Sequence, residues 1–235
     1  SRSINITSNR FLIFTFDSDL IAPLIQFENP TPVNGSSIPN SFTLINVSII
    51  ESNLADVIFN WNKTNFTMYN DSLVLMMNFD NRSALGENST FVRDLSRYGN
   101  NGIGNGAIWN SSGKYGGAFE FDGITGKRNI SVLDSDSLDV QNFAVALWFM
   151  KKGNGVRVIS AGNDPRIDVM PLISKGGNEA GGSTTEINFM IGINATNRIE
   201  ADFEGSTGTN HLVRSNLDIL DGQWYHVVLT HNFTD

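Results

Sequence analysis

The sequence contains no cysteine. Disulfide bridges, thiolate zinc sites and cysteine nucleophiles are therefore excluded. Charge is scarce, at 17% of 235 residues, and unbalanced: 24 acids against 16 Lys and Arg give a formal charge of -8. An acidic surface repels phosphate backbones, which argues against a nucleic-acid binder. No run of 18 or more apolar residues occurs, so no helical membrane span is encoded. No secretory leader pattern opens at Ser1, as expected of a mature chain or a fragment. A sustained period of 3.6 is also missing, so helices are not expected. Hydrophobic residues still make up 40%, enough to fill a core, and the length suits one large domain or two small ones.

Alternation of apolar and polar residues, bounded by Gly, Asn and Pro, is what the chain does contain. Phe11 to Phe16 reads as a strand. Pro23, Pro30, Pro32 and Pro39 then cluster, although the whole chain has only six prolines, and they punctuate the start of a domain. Strands are expected at about 42–50, 56–62, 64–69 and 73–79, at the spacing of a small β-sandwich. Glycine concentrates between Gly99 and Gly182, and further strands are expected at 117–122, 128–133, 143–150, 156–161, 169–174, 187–194, 197–203 and 224–231. Many short strands without helices predict an all-β chain of two packed-sheet domains, the second jelly-roll-like, divided near residue 71. Gly102-Ile103-Gly104-Asn105-Gly106 has no helix after it to cradle a phosphate, and it reads as a turn.

Asn-x-Ser/Thr occurs at Asn5, Asn34, Asn46, Asn62, Asn65, Asn70, Asn81, Asn88, Asn110, Asn129, Asn194 and Asn232. Composition alone predicts roughly 5 such matches, so the excess points to N-glycosylation and to the cell exterior. Strand phase agrees. With Val57, Phe59 and Trp61 on a core face, Asn62 faces water; Asn194 stands opposite Ile187, Phe189, Ile191 and Ile193, and Asn129 opposite Ile130 and Val132.

Five stretches in order carry a family resemblance: Leu75–Asp80, Val92–Gly102, Tyr115–Gly123, Phe143–Phe149 with its Trp148, and Asp221–Thr230. Together they resemble the laminin-G-like, concanavalin A-like jelly roll of prokaryotic surface proteins, over residues 72–235. Residues 20–71 resemble an immunoglobulin-like module of archaeal and bacterial surface proteins, on Ala22–Phe27 and Asn29-Pro30-Thr31-Pro32. Residues 1–19 are then a terminal strand or linker, as if the last strand of a preceding module. The jelly-roll family continues past Thr230 with further strands, whereas this chain stops at Asp235. A spare strand at one end and a missing one at the other suggest head-to-tail strand complementation.

Catalytic chemistry has little support. The stretch closest to a glycosidase pair of carboxylates is Glu120-Phe121-Asp122, where residues two apart on an exposed face are ordinarily just solvated. His211, His226 and His231 form no triad or zinc pattern. Calcium, by contrast, wants several oxygen ligands, and Asp94, Ser96, Asn100 and Asn101 crowd one loop. The resemblance also implies calcium at the sandwich rim; the alternative is that Asp94 caps a turn with its own backbone. Glu200-Ala201-Asp202-Phe203-Glu204 with Asn210-His211 resembles a family stretch without an assigned role. Trp148 and Trp224 read as core, and Trp109, in the Gly-rich region beside Asn110, is the candidate for stacking on a sugar.

These readings converge on a non-enzymatic, N-glycosylated extracellular surface protein. It would bind glycan or protein ligands through its jelly-roll rim loops, with structural calcium as the only cofactor. A structural subunit of a surface filament or layer, made of copies of itself, is the alternative. A third reading is an accessory binding module of a larger secreted carbohydrate-active enzyme.

Overall fold

The computed structural model describes residues 2–6, 10–14, 22–39, 43–51, 54–124, 128–160, 165–176, 187–204 and 210–232. Among them the chain is all-β, with antiparallel strand pairs, two single-turn 3-10 segments (Ser83–Leu85 and Asp136–Leu138) and no α-helix. Among the described residues no helix is long and apolar enough to cross a membrane. The chain divides into two compact units, Ser1–Met76 with Asp94–Asn100, and Met77–Arg93 with Asn101–Asp235.

Among the described residues the first unit contains six strands: β1 (Arg2–Ile6), β2 (Arg10–Phe14), β3 (Leu24–Glu28), β4 (Asn46–Ile50), β5 (Val57–Trp61) and β6 (Thr64–Tyr69). They form a sheet of order β1-β2-β5-β6 and a β3-β4 pair. The strand expected to be spare is therefore paired within its own chain, with Leu12 opposite Phe59 and Ile13 opposite Ile58. Strand complementation through this segment loses its premise. The phase near Trp61 also differs from expectation: Asn60 is buried and Trp61 is 39% exposed. The cross-strand partner explains it, because Asn60 Nδ2 donates to Asn65 Oδ1 at 2.6 Å.

The second unit holds β7 (Phe91–Val92), β8 (Gly102–Asn105), β9 (Ile108–Asn110), β10 (Ala118–Glu120), β11 (Asn129–Val132), β12 (Phe143–Met150), β13 (Val158–Ile159), β14 (Asp168–Gly176), β15 (Ile187–Asn194), β16 (Arg198–Glu204), β17 (Asn210–Asp218) and β18 (Trp224–His231). A five-stranded sheet β13-β14-β15-β16-β17 faces the pair β12-β18. Their inner faces interlock through Phe189, Ile191, Ala201 and Leu229, packed against Phe143, Val145 and Val227. Phe149, Ile193 and Ile219 continue the core with Leu147 and Tyr225. The fully buried Ile191 contributes about 2 kcal/mol by leaving water. The five-stranded sheet also buries its other face, with Ile167, Val169 and Met190 packed beside Val158 and Leu212.

Two further expectations change. The Gly102–Gly106 stretch is not a turn: Gly102–Asn105 is a strand between β7 and β11. Glycine is needed there because a Cβ on Gly102 would lie 2.7 Å from Ile130 Cγ2. Residues 73–79 do not form a strand. Met76 instead donates its amide to Asp94 and accepts from the Leu95 amide at 2.7 Å, while Phe79 and Asn81 take φ of 60° and 54°. Backbone of that left-handed kind ends an extended run.

Candidate functional site

The calcium candidates come first. Asp94, Ser96 and Asn100 do converge and are buried. Asp94 Oδ1 accepts from the amides of Met76 and Ser96, both at 2.9 Å. Its Oδ2 accepts from Ser96 Oγ and the Asn100 amide, both at 2.7 Å. Asn100 Nδ2 donates to Val74 O at 2.8 Å. This is a carboxylate cage closed by hydrogen-bond donors, in the manner of a turn cap. A calcium ion there would have to displace those donors. Asn101 belongs to the other unit. No group of three or more His, Asp or Glu side chains is placed to hold a metal among the described residues.

The glycosidase-like stretch is equally tied up. Glu120 accepts from Lys152 Nζ and from Asn110 Nδ2, each at 2.6 Å. The Lys152 hydrogen bond, followed by that of Asn110, holds its carboxyl below the ordinary value. Asp122 pairs with Arg128 at 3.1 Å. With its carboxyl held down, Glu120 is not poised as a general acid, which needs a raised pKa.

A polar layer whose role is not legible in the sequence lies on the second covered face of the five-stranded sheet, the one that carries Val169 and Met190. Glu200 is buried between Arg214, its ion-pair partner, and Asn194, whose Nδ2 donates at 2.8 Å. Asp202 is 2% exposed. Its Oδ2 accepts from Ser160 Oγ at 2.6 Å, and Ser160 Oγ in turn accepts from the Ile167 amide at 3.0 Å. Asp202 Oδ1 has no hydrogen-bond partner among the described residues. Burial pushes the Asp202 carboxyl up, with the Ser160 hydrogen bond and the neighbouring His211 working against it. Alternating acids on β16 look like a solvated face in sequence. Only the second buried layer reveals otherwise.

The tryptophans exchange roles. Trp109 is held down: its Nε1 donates to Phe79 O at 2.8 Å, and a Cβ on Gly117 would lie 2.6 Å from that nitrogen. Trp148 is not core. It alternates outward from Leu147 and Phe149, opposite His226 on β18, and is 41% exposed. Its ring stacks on His226 at 4.9 Å and meets Tyr115 edge-on at 5.6 Å. Lys114 Nζ lies 5.1 Å from the Trp148 ring centroid and 5.7 Å from that of Tyr115. Trp224 shares the outer row, opposite Met150, and is half-buried. His231 sits at the core edge against Phe143 and Phe203, its Nδ1 at 2.8 Å from Gln141 O. Elsewhere an apolar cleft of about 300 Å³ is lined by Val213 and Leu217 of β17, Tyr225, Val227 and Leu229 of β18, and Ile199.

The sequons divide by environment. Asn34, Asn46, Asn62, Asn65, Asn88, Asn129 and Asn232 are exposed; Asn70, Asn81 and Asn110 are half-buried. The side chain of Asn5 lies outside the described residues. Asn194 is buried, contrary to expectation, because both faces of its sheet are covered. The Asn-x-Ser/Thr pattern has a structural use as well. Asn88 Oδ1 accepts from the amide and hydroxyl of Thr90, and Asn194 Oδ1 does the same with Thr196. Asn70 closes the same turn with Ser72. Part of the sequon excess is therefore turn chemistry.

A laminin G-type family model, described as the concanavalin A-like lectin/glucanases superfamily, matches residues 125–235. The match supports a laminin-G-like jelly roll over this stretch, in line with the facing sheets. Domains of this kind are generally binding modules. Residues 72–124 lie outside it. No curated protein and no solved structure matches the chain.

Proposed function

We propose that the chain is a non-catalytic recognition protein of the cell exterior, whose jelly-roll unit binds a glycan or protein ligand. One observation carries the reading. The carboxylates closest to a glycosidase pair are engaged: Glu120 with Lys152 and Asn110, and Asp122 with Arg128. At one place the second unit exposes aromatic and cationic side chains together, Tyr115, Trp148 and Lys114. Rings of this kind are enriched where ligands are held rather than transformed. The exposed sequons support a glycosylated exterior protein.

The test is a screen of the purified chain against arrayed glycans and surface proteins, with and without calcium. In parallel, β-glucan and other polysaccharide substrates are assayed for new reducing ends. Saturable binding without bond cleavage supports the reading. Release of reducing ends that vanishes on Glu120→Gln or Asp122→Asn substitution would overturn it. Mass spectrometry of the native protein reads glycan occupancy directly.

A further inference from the structure

The outer row of the β12-β18 pair combines three features. Two aromatic rings remain open to solvent, Trp148 at 41% and Tyr115 at 61% exposure. They stand perpendicular to each other, at 86° and 5.6 Å, and so form a corner rather than a closed stack. On one side of that corner the outward side chains are small: Ala146 opposite Val228, and Ala144 opposite Thr230. That is a flat floor ending at an aromatic wall. Lys114 is over both rings and forms no ion pair among the described residues, whereas Lys151, Lys152 and Lys175 each have an acid partner. In a chain with a net charge of -8, Lys114 is thus a cation beside two exposed rings with no ion-pair partner among the described residues.

We propose that Lys114, Tyr115, Trp148 and His226 form a binding site for an acidic sugar, a carboxylated or sulfated pyranose. The apolar C–H face of the ring packs on the aromatic corner. The anionic group pairs with the Lys114 ammonium, and Thr230 and the His226 ring are within the same row for hydroxyl contacts. A flat pyranose fits a floor of two alanines. A protein ligand would need roughly 800 Å² of matched surface on each side, with a central pocket. This inference rests on the recognition reading above and names its ligand class and face.

The test uses the whole chain and matched oligosaccharide pairs: tetragalacturonate and its methyl ester, sialyllactose and lactose, sulfated and unsulfated N-acetyllactosamine. The pairs separate a carboxylate from a sulfate as the anion. Wild-type protein is expected to prefer the acidic member of at least one pair by about tenfold, as a charge-assisted contact of this kind supplies. Lys114→Ala should erase that preference. Trp148→Ala should weaken both members by about tenfold, and Trp148→Phe should restore part of it. Both positions are exposed, and thermal melting of all three variants within a few degrees of wild type confirms intact folding. Equal affinity for both members of every pair overturns the inference. Glycan binding that survives Trp148→Ala and Lys114→Ala also overturns this site and leaves the recognition reading standing. A screen that finds neither glycan nor protein ligand overturns both.

Discussion

Removing the Asp94 carboxylate should loosen the first unit selectively. The side chain is 2% exposed and accepts from the amides of Met76, Ser96 and Asn100 and from Ser96 Oγ. In Asp94→Ala those three amides lose their acceptor inside a closed site. Each buried unsatisfied donor costs about 1–3 kcal/mol, so water entry included, the total is about 4 kcal/mol. Asp94→Asn keeps one oxygen and turns an NH2 toward the remaining donors, at about 2 kcal/mol. A chain of two compact units has no single unfolding free energy, so the assay is hydrogen exchange read by mass spectrometry. Peptides covering 71–76 and 94–100 should exchange roughly a thousandfold faster in Asp94→Ala, and those covering Ile187–Asn194 should be unchanged. The oxygens of Asp94 already have donors, so calcium chelation should leave wild-type exchange as it was. An effect of Asp94→Ala smaller than about tenfold would refute the cage. Chelation that reproduces the Asp94→Ala pattern would refute it too, and would reinstate Asp94 as a metal ligand.

Other expectations follow from the second unit. The Asp202 pKa is raised in the folded state, chiefly by burial, so its native form holds a proton more readily than the unfolded chain. Its penalty is full above the folded pKa and is relieved as pH falls through that value. Asp202→Asn should therefore raise Tm at neutral pH, with the gain shrinking in acid; a Tm gain that grows toward low pH would sink the argument. Gly192→Ala should cost about 1–3 kcal/mol by overpacking, since the added Cβ would lie 2.5 Å from Met170 O and from Val169 Cγ2; an unchanged Tm would refute the register of β14 against β15. Glycan mapping of native material should find Asn194 bare and sugars among Asn34, Asn62, Asn88 and Asn129. A fully occupied Asn194 would contradict its bond to Glu200.

Much of the fold was legible because strands with one apolar face announce themselves by alternation. Phe143–Met150, Ile187–Asn194 and Trp224–His231 lie where the sequence places them. The Gly102–Asn105 strand was hidden, since glycine signals a turn unless a close neighbour such as Ile130 is known. The site was less legible. Trp148 sits in an apolar run, and alternation by itself does not say which of Leu147 and Trp148 turns inward. The neighbouring Phe149 and the partner strand settle that.

The sequence by itself determined the all-β class, the absence of thiol chemistry, the acidic charge and the positions of most strands, because each depends on composition or on local period. Tertiary structure alone decided the rest. It covered the second face of the five-stranded sheet and so turned Asn194, Glu200 and Asp202 from surface groups into buried ones. It closed Asp94 with donors from residues as far away as Met76. It also brought Lys114 and Tyr115 against Trp148, and Trp148 against His226, side chains more than thirty residues apart in sequence. Burial and partnership are properties of the far side of a contact, which local pattern does not contain.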